Sequence, residues 1–200
     1  MPTVISGPAY VVQHNIDTDQ IIPAQYLTLV PTIPEEYEKL GSYALIGLPD
    51  SLYPTRYVEE GSTKSKYPIV IAGRNFGCGS SREHAVWALA DFGFRAVISS
   101  SFADIFANNS TKNGFLTVRL ADHEVAELMH RATEVEGYQL TVDLEQCEVR
   151  DDLGFRTKFA LDEFVRHCLL NGLDDIGLTL QHEAEIRAYE ARHPQTTTLQ

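Results

Sequence analysis

Ile69-Val70-Ile71-Ala72-Gly73-Arg74-Asn75-Phe76-Gly77-Cys78-Gly79-Ser80-Ser81-Arg82-Glu83-His84-Ala85 is the stretch on which the fold turns. Its first four residues are apolar and mostly β-branched, the pattern of a short strand covered on both faces. A glycine-rich turn follows, from Gly73 to Gly79. Beyond it Ala85, Ala88, Leu89 and Phe92 recur on one helical face, and Gly93 stands just past the end. Ala96-Val97-Ile98 is a second apolar strand. A buried strand, a helix and another buried strand in succession predict an α/β fold with a partly parallel sheet.

Downstream, the pattern predicts a short helix around Phe102, Ile105 and Phe106, an Asn113-Gly114 turn and a third strand over 115–120. Asp122 is placed to cap a helix with Val125, Leu128 and Met129 facing inward. Residues 138–160 read as two or three strands turned at Asp151-Asp152-Leu153-Gly154. Asp162 caps a further helix ending near Gly172, and an amphipathic helix closes the chain at about 180–192. Upstream, residues 4–12 read as one strand and 14–34 as ordered loop. Pro34 and the acidic residues after it mark a helix start. Residues 50–67 read as an exposed connection and 194–200 as a frayed tail. No domain boundary interrupts 1–200.

Composition narrows the function. The chain has 200 residues, 44% hydrophobic and 22% charged, an ordinary globular balance. Its 28 acidic and 16 basic side chains give a net charge of −12, which argues against a nucleic-acid surface and against docking on anionic lipid. No apolar run is long enough for a membrane span, and the N-terminus has neither a signal-peptide nor a transit-peptide pattern, so a cytoplasmic protein is expected. Cys78, Cys147 and Cys168 are an odd, widely spaced set. They suit a reducing compartment, and they lack the close spacing of a zinc or iron–sulfur site. No metal site is expected in this chain.

The densest chemistry is Gly77-Cys78-Gly79-Ser80-Ser81-Arg82-Glu83-His84. Ser80 and Glu83 have capping-box spacing. Gly77 and Gly79 allow close backbone approach, helix-start amides face an anion, and Arg82 adds a fork for a carboxylate or phosphate. The same residues equally suit a plain cap and turn. The spacing matches neither a P-loop nor a hydrolase elbow. His84 follows Ser80 by four residues with no third orienting group, so a Ser–His pair is disfavoured. Asp17-Thr18-Asp19-Gln20 reads as Asx-turn residues or a weak cation cluster. Asn108 to Asn113 supplies amides and Lys112, either for a carboxylate or for a helix end and turn.

Taken together, these motifs resemble one family. Gly73 to Ala85, Ser101-Phe102-Ala103-Asp104-Ile105-Phe106, Asn108-Asn109 through Lys112-Asn113-Gly114, Asn15 to Pro23, and Cys168 to Leu180 are similar, in the same order, to the small subunit of 3-isopropylmalate dehydratase in the aconitase superfamily. Val86 and Ser110-Thr111 depart from the common pattern beside the motifs rather than on them. The resemblance implies an aconitase C-terminal-like, swivelling β/β/α domain. It implies a hydro-lyase of leucine biosynthesis, isomerising 2-isopropylmalate to 3-isopropylmalate through 2-isopropylmaleate. The chain would be active only with a large subunit that carries the [4Fe–4S] cluster.

The resemblance also implies roles. Ser80 is the base at carbon, and Arg82 with Ser81 binds substrate carboxylate. Asp19, Gly79, His84, Asn109 and Lys112 support the site. The loop Gln25-Tyr26-Leu27-Thr28-Leu29-Val30 is held to read the third substituent. No Arg occurs before Arg56, whereas Leu27 and Leu29 offer apolar surface for an isopropyl group. A related hydratase, of homoaconitase or dimethylmaleate type, is the alternative enzyme. An RNA-binding module is the alternative outside enzymes, and the charge of −12 counts against it.

Overall fold

The computed structural model describes residues 2–53 and 64–193. The tail and most of the 50–67 connection lie outside these. In chain order the elements are β1 (Val4–Gly7), β2 (Ala9–Val12), α1 (Thr18–Ile21), α2 (Pro34–Ser42), β3 (Ile69–Ala72), α3 (Glu83–Phe92), β4 (Ala96–Ser99), α4 (Asp104–Lys112), β5 (Leu116–Arg119), α5 (Asp122–Glu134), β6 (Leu140–Asp143), β7 (Glu148–Asp151), β8 (Arg156–Lys158), α6 (Glu163–Asn171), α7 (Asp175–Leu180) and α8 (Glu183–Arg192). The described strands form two four-stranded sheets. One is parallel in the order β2-β3-β4-β5; the other is antiparallel in the order β1-β6-β7-β8.

The alternation along β3 and β4 sets the layers. Val70, Ala72 and Val97 point into a core shared with α1, α2 and α3, through residues such as Ile21, Leu40 and Leu89. Ile69, Ile71, Ala96 and Ile98 point the other way, onto Leu140, Val142 and Val149 of the antiparallel sheet and onto Val125 and Leu128 of α5. All residues of β3 and β4 are buried, as the apolar runs Ile69 to Ala72 and Ala96 to Ile98 require, and the buried Ser99 hydroxyl donates to Gly73 O at 2.6 Å. Full burial of each isoleucine contributes about 1.5–3 kcal/mol. Antiparallel sheet, parallel sheet and helices thus stack as β/β/α. Among the described residues no helix is long and apolar enough to cross a membrane.

Several local expectations change. Residues 4–12 are two strands, in different sheets, because Pro8 has no amide proton for either ladder. The 14–34 loop contains α1 and a 3₁₀ turn, Ala24–Tyr26. The helix after Phe102 runs to Lys112 and so absorbs the Asn108 cluster. Ala121, not Asp122, is the N-cap of α5, and the Glu124 carboxylate accepts from the Ala121 amide at 2.9 Å. The closing helix expected at about 180–192 is α8, Glu183–Arg192, and a short helix not expected from the sequence, α7, precedes it at Asp175–Leu180. Pro34 in the first turn of α2, and Asp162 and Gly172 at the ends of α6, stand as expected.

Candidate active site

The parallel ladder between β2 and β3 does not stop with the strands. Asn15 N–H donates to Arg74 O at 2.9 Å, Gly77 N–H to Ile16 O at 2.8 Å, and Thr18 N–H to Cys78 O at 2.9 Å. The two loops leaving the carboxyl ends of β2 and β3 therefore run side by side, where open α/β sheets commonly place ligands. This is how the Asp17-Thr18-Asp19 cluster comes to lie against the Ser80 loop. On the other flank Phe76 N–H donates to Ser101 O at 3.1 Å and Ala103 N–H to Phe76 O at 3.0 Å, which brings in the start of α4. The fully buried Phe76 ring meets Phe106 edge-on at 5.2 Å and Phe102 at 6.4 Å. Such pairs add about 0.5–1.5 kcal/mol each beyond their burial and anchor the loop from below.

Gly77 and Gly79 adopt positive φ, +77° and +91°. At Gly77 a side chain is excluded twice: by this backbone, and because a Cβ would stand 2.3 Å from Phe106 Cγ. The loop then opens on a cavity of about 250 Å³, lined by Thr18, Gly77, Gly79, Ser80, Ser81, Arg82 and residues 103–106 of the α4 start. Ser80 and Ser81 are exposed at its mouth.

The Ser80–Glu83 capping box does not form. Helix α3 begins at Glu83, and its N-cap, Arg82, is extended at φ −142°, ψ 104° with no side-chain cap bond. The Thr18 hydroxyl donates to Ser80 O at 2.9 Å and ties the Ser80 backbone to α1. Glu83 instead accepts from Asn113 Nδ2 at 2.7 Å, while Asn113 Oδ1 accepts from Trp87 Nε1 at 2.7 Å. The reciprocal box in this region belongs to α1: Asp17 Oδ1 accepts from Gln20 N–H at 2.8 Å, and Gln20 Oε1 from Asp17 N–H at 3.0 Å. Asp17 and Gln20 thus form a helix cap, and Thr18 and Asp19 are the members of the cluster that face the Ser80 loop.

Asp19 uses that position to grip Arg82. Arg82 Nη2 donates to Asp19 Oδ2 at 2.9 Å, Nη1 lies 2.5 Å from Oδ1, and Nη1 also donates to Ile22 O at 3.2 Å. The Arg82 side chain is only 10% exposed against 59% for Asp19, so the guanidinium orientation is set by the protein. The hydrogen bond from Arg82 holds the Asp19 carboxyl below the usual Asp value. Burial, then the Asp17 carboxylate, push the Cys78 thiol up, so it stays protonated at neutral pH.

Other expected residues sit elsewhere. Leu27 and Leu29 are half-buried against the helical core and do not line the cavity. His84 packs edge-on against Trp87 at 4.8 Å. Asn109 offers its carbonyl to the Asn113 amide and side chain, at 3.1 and 2.8 Å, closing α4. Lys112 lines a separate cavity with Arg95 and Cys168. Among the described residues no three His, Cys, Asp or Glu side chains gather as a metal site, and Cys78, Cys147 and Cys168 are free thiols. These residues do not fit an iron–sulfur cluster. Sequence reasoning missed Thr18, whose only signal was its place between the two aspartates, and Asn113 as the tie between α3 and α4.

Comparison with known proteins agrees with this architecture. Residues 11–123 match the aconitase C-terminal domain, and 175–197 match the C-terminal domain of the 3-isopropylmalate dehydratase small subunit. The chain is 48% identical over 179 residues to the 3-isopropylmalate dehydratase small subunit of Acidobacterium capsulatum, covering 90% of this chain and 83% of that one. It is 49% identical over 187 residues to the protein of the same name from Shewanella sp., covering 90% of each. The crystal structure of 3-isopropylmalate dehydratase from Methanocaldococcus jannaschii superposes with a TM-score of 0.67 at 28% identity, over 94% of this chain and 99% of that one. On likeness in sequence and in fold, the chain belongs to the 3-isopropylmalate dehydratase small-subunit family.

Proposed function

We propose that this chain, paired with a large subunit, forms a hydro-lyase that isomerises 2-isopropylmalate to 3-isopropylmalate through 2-isopropylmaleate. The observation that carries the reading is a cavity at the carboxyl ends of β2 and β3 that holds Ser80, Ser81 and a pre-oriented Arg82. Arg82 binds a substrate carboxylate and so fixes the neighbouring carbon toward Ser80. Ser80 Oγ takes the proton from that carbon, and returns one to the other carbon of the double bond when water adds back. An alcohol is a weak base at neutral pH. The Arg82 charge and the loss of water when a partner covers the mouth are what favour its alkoxide.

The residues that line this cavity supply hydrogen-bond donors but no Lewis acid for the departing hydroxyl. The large subunit's [4Fe–4S] cluster supplies that Lewis acid when bound. A reducing cytoplasm suits the three free thiols.

The test mixes the chain with a cluster-loaded large subunit and follows 2-isopropylmaleate by absorbance. Wild type is expected to be active only in the mixture. Ser80→Ala should fall by about 10²–10⁴ while still assembling. Full activity of Ser80→Ala, or activity of the chain alone, contradicts the reading. Turnover of a homocitrate-type substrate as fast as isopropylmalate contradicts the substrate.

A further inference from the structure

The cavity beside Ser80 has two unlike walls. One is polar, made by Thr18, Gly79, Ser80, Ser81 and Arg82; the other is the first turn of α4, with Ala103, Ile105 and Phe106. Phe106 is buried and belongs to the core. Ile105 does not: it is 51% exposed although large and apolar, and it has no place in either hydrophobic cluster. Folding therefore gives little account of an isoleucine at this position, whereas the cavity gives it a surface to present. Asp104, the first residue of α4, is exposed on the same wall. Its charge opposes a carboxylate there and leaves an alkyl group unopposed.

Leu27 and Leu29 are half-buried against the helical core, and the apolar residues that line the cavity beside Ser80 and Arg82 are those of the α4 turn. We infer that Ile105, on the wall it shares with Asp104, is a specificity-determining residue that receives the alkyl branch of the substrate while Arg82 holds a carboxylate. This rests on the proposed hydro-lyase reading and adds to it the residue that tells an alkylmalate from its more polar or less branched relatives. A methylene in an apolar pocket discriminates by roughly 10–200-fold, so a truncation here should be legible in a substrate ratio.

The experiment uses the assembled two-subunit enzyme and measures hydration of isopropylmaleate and of methylmaleate side by side. Wild type should prefer the isopropyl compound. Ile105→Ala should shrink the ratio of the two kcat/KM values by about tenfold, mainly through KM for the isopropyl compound. Ile105→Leu should restore most of the ratio. An equal fall on both substrates, or failure of the Ile105→Ala chain to assemble with the large subunit, overturns the inference and makes Ile105 a structural or partner contact. A wild-type assembly that hydrates neither compound overturns the proposed function itself, and this inference with it.

Discussion

Asp19 and Arg82, 63 residues apart in sequence, meet in a two-point ion pair, with Arg82 Nη2 2.9 Å from Asp19 Oδ2 and Nη1 2.5 Å from Oδ1. The carboxylate belongs to α1 and the guanidinium to the residue that opens α3. The pair therefore joins the two loops leaving β2 and β3, and it aims the guanidinium of the cavity lining.

Asp19→Asn should leave Arg82 charged but poorly aimed. The expected result in the assembled enzyme is KM raised about tenfold with kcat changed far less, because carboxylate binding is lost rather than proton transfer. Arg82→Lys, which cannot fork, should lose more in kcat/KM than Asp19→Asn. Asp19 is held below its usual value, so the pair is intact above about pH 4 and weakens only as pH falls through the lowered value. The activity profile near neutrality should then show no Asp19 titration, and Asp19→Asn should shift no limb of it.

Thr18→Val removes the hydroxyl that donates to Ser80 O at 2.9 Å and keeps the side-chain shape. The stability cost should be about 0.5–1.5 kcal/mol, the net worth of one hydrogen bond. The loss in kcat should exceed what that destabilisation explains, because the bond ties the backbone of Ser80 to α1. Chemical denaturation and steady-state kinetics on the same preparations separate the two effects.

Gly77→Ala and Gly137→Ala form a matched pair. Both positions have positive φ, +77° and +72°, and each should cost about 1–2 kcal/mol from backbone conformation alone. An added Cβ meets nothing within 4 Å at Gly137 but presses on the Phe106 ring at Gly77. Thermal unfolding should show the Gly77 variant several degrees below the Gly137 variant, and that difference measures the steric part. Equal melting temperatures would show that the Phe106 contact relaxes without cost.

Asp151, the last residue of β7, ties α5, the segment before β6 and the β7–β8 turn together through its carboxylate. Tyr138 OH donates to Oδ2 at 2.9 Å and Arg131 Nη1 at 3.0 Å, while the amides of Leu153 and Phe155 donate to Oδ1. Burial alone would raise this carboxyl, but the Phe155 amide, Tyr138, the Leu153 amide and Arg131 outweigh it and hold it below the usual Asp value. A lowered carboxyl stabilises the fold above its unfolded value, and that contribution disappears as pH falls through the folded value. Melting temperature should drop as pH falls below about 4–5, and Asp151→Asn should lower the neutral plateau and flatten that part of the curve. An unchanged slope in the variant would mean that other acids carry the acid transition.

The strands and the motif were legible for different reasons. Ile69 to Ala72 and Ala96 to Ile98 are apolar at every position, so burial on both faces and a parallel sheet followed from the residues alone. The Gly-x-Gly-Ser-Ser-Arg-Glu-His segment announced a strand-to-helix turn with an anion-binding arginine, and that turn is where the cavity lies. The cap was misread because Ser80-x-x-Glu83 and Asp17-x-x-Gln20 both have box spacing. A spacing rule cannot weigh the pull of Thr18 on Ser80 O or of Asn113 on Glu83. The sequence offers Leu27 and Leu29 of the 25–30 loop as apolar surface for the substrate; in the structure both are half-buried against the helical core and neither lines the cavity.

The amino-acid sequence by itself determined the buried strands β3 and β4 with the helix between them, the two glycines of the loop and the chemical inventory of Ser80, Arg82 and Asp19. These rest on short-range physics: periodicity, backbone freedom and side-chain type. Only the tertiary structure decided that Asp19 grips Arg82, that Thr18 ties the Ser80 backbone to α1, and that Ile105 rather than Leu27 or Leu29 meets the cavity. Each of these depends on which loops the parallel pairing of β2, β3 and β4 lays side by side, and on hydrogen bonds between residues far apart in the chain, which no local pattern encodes.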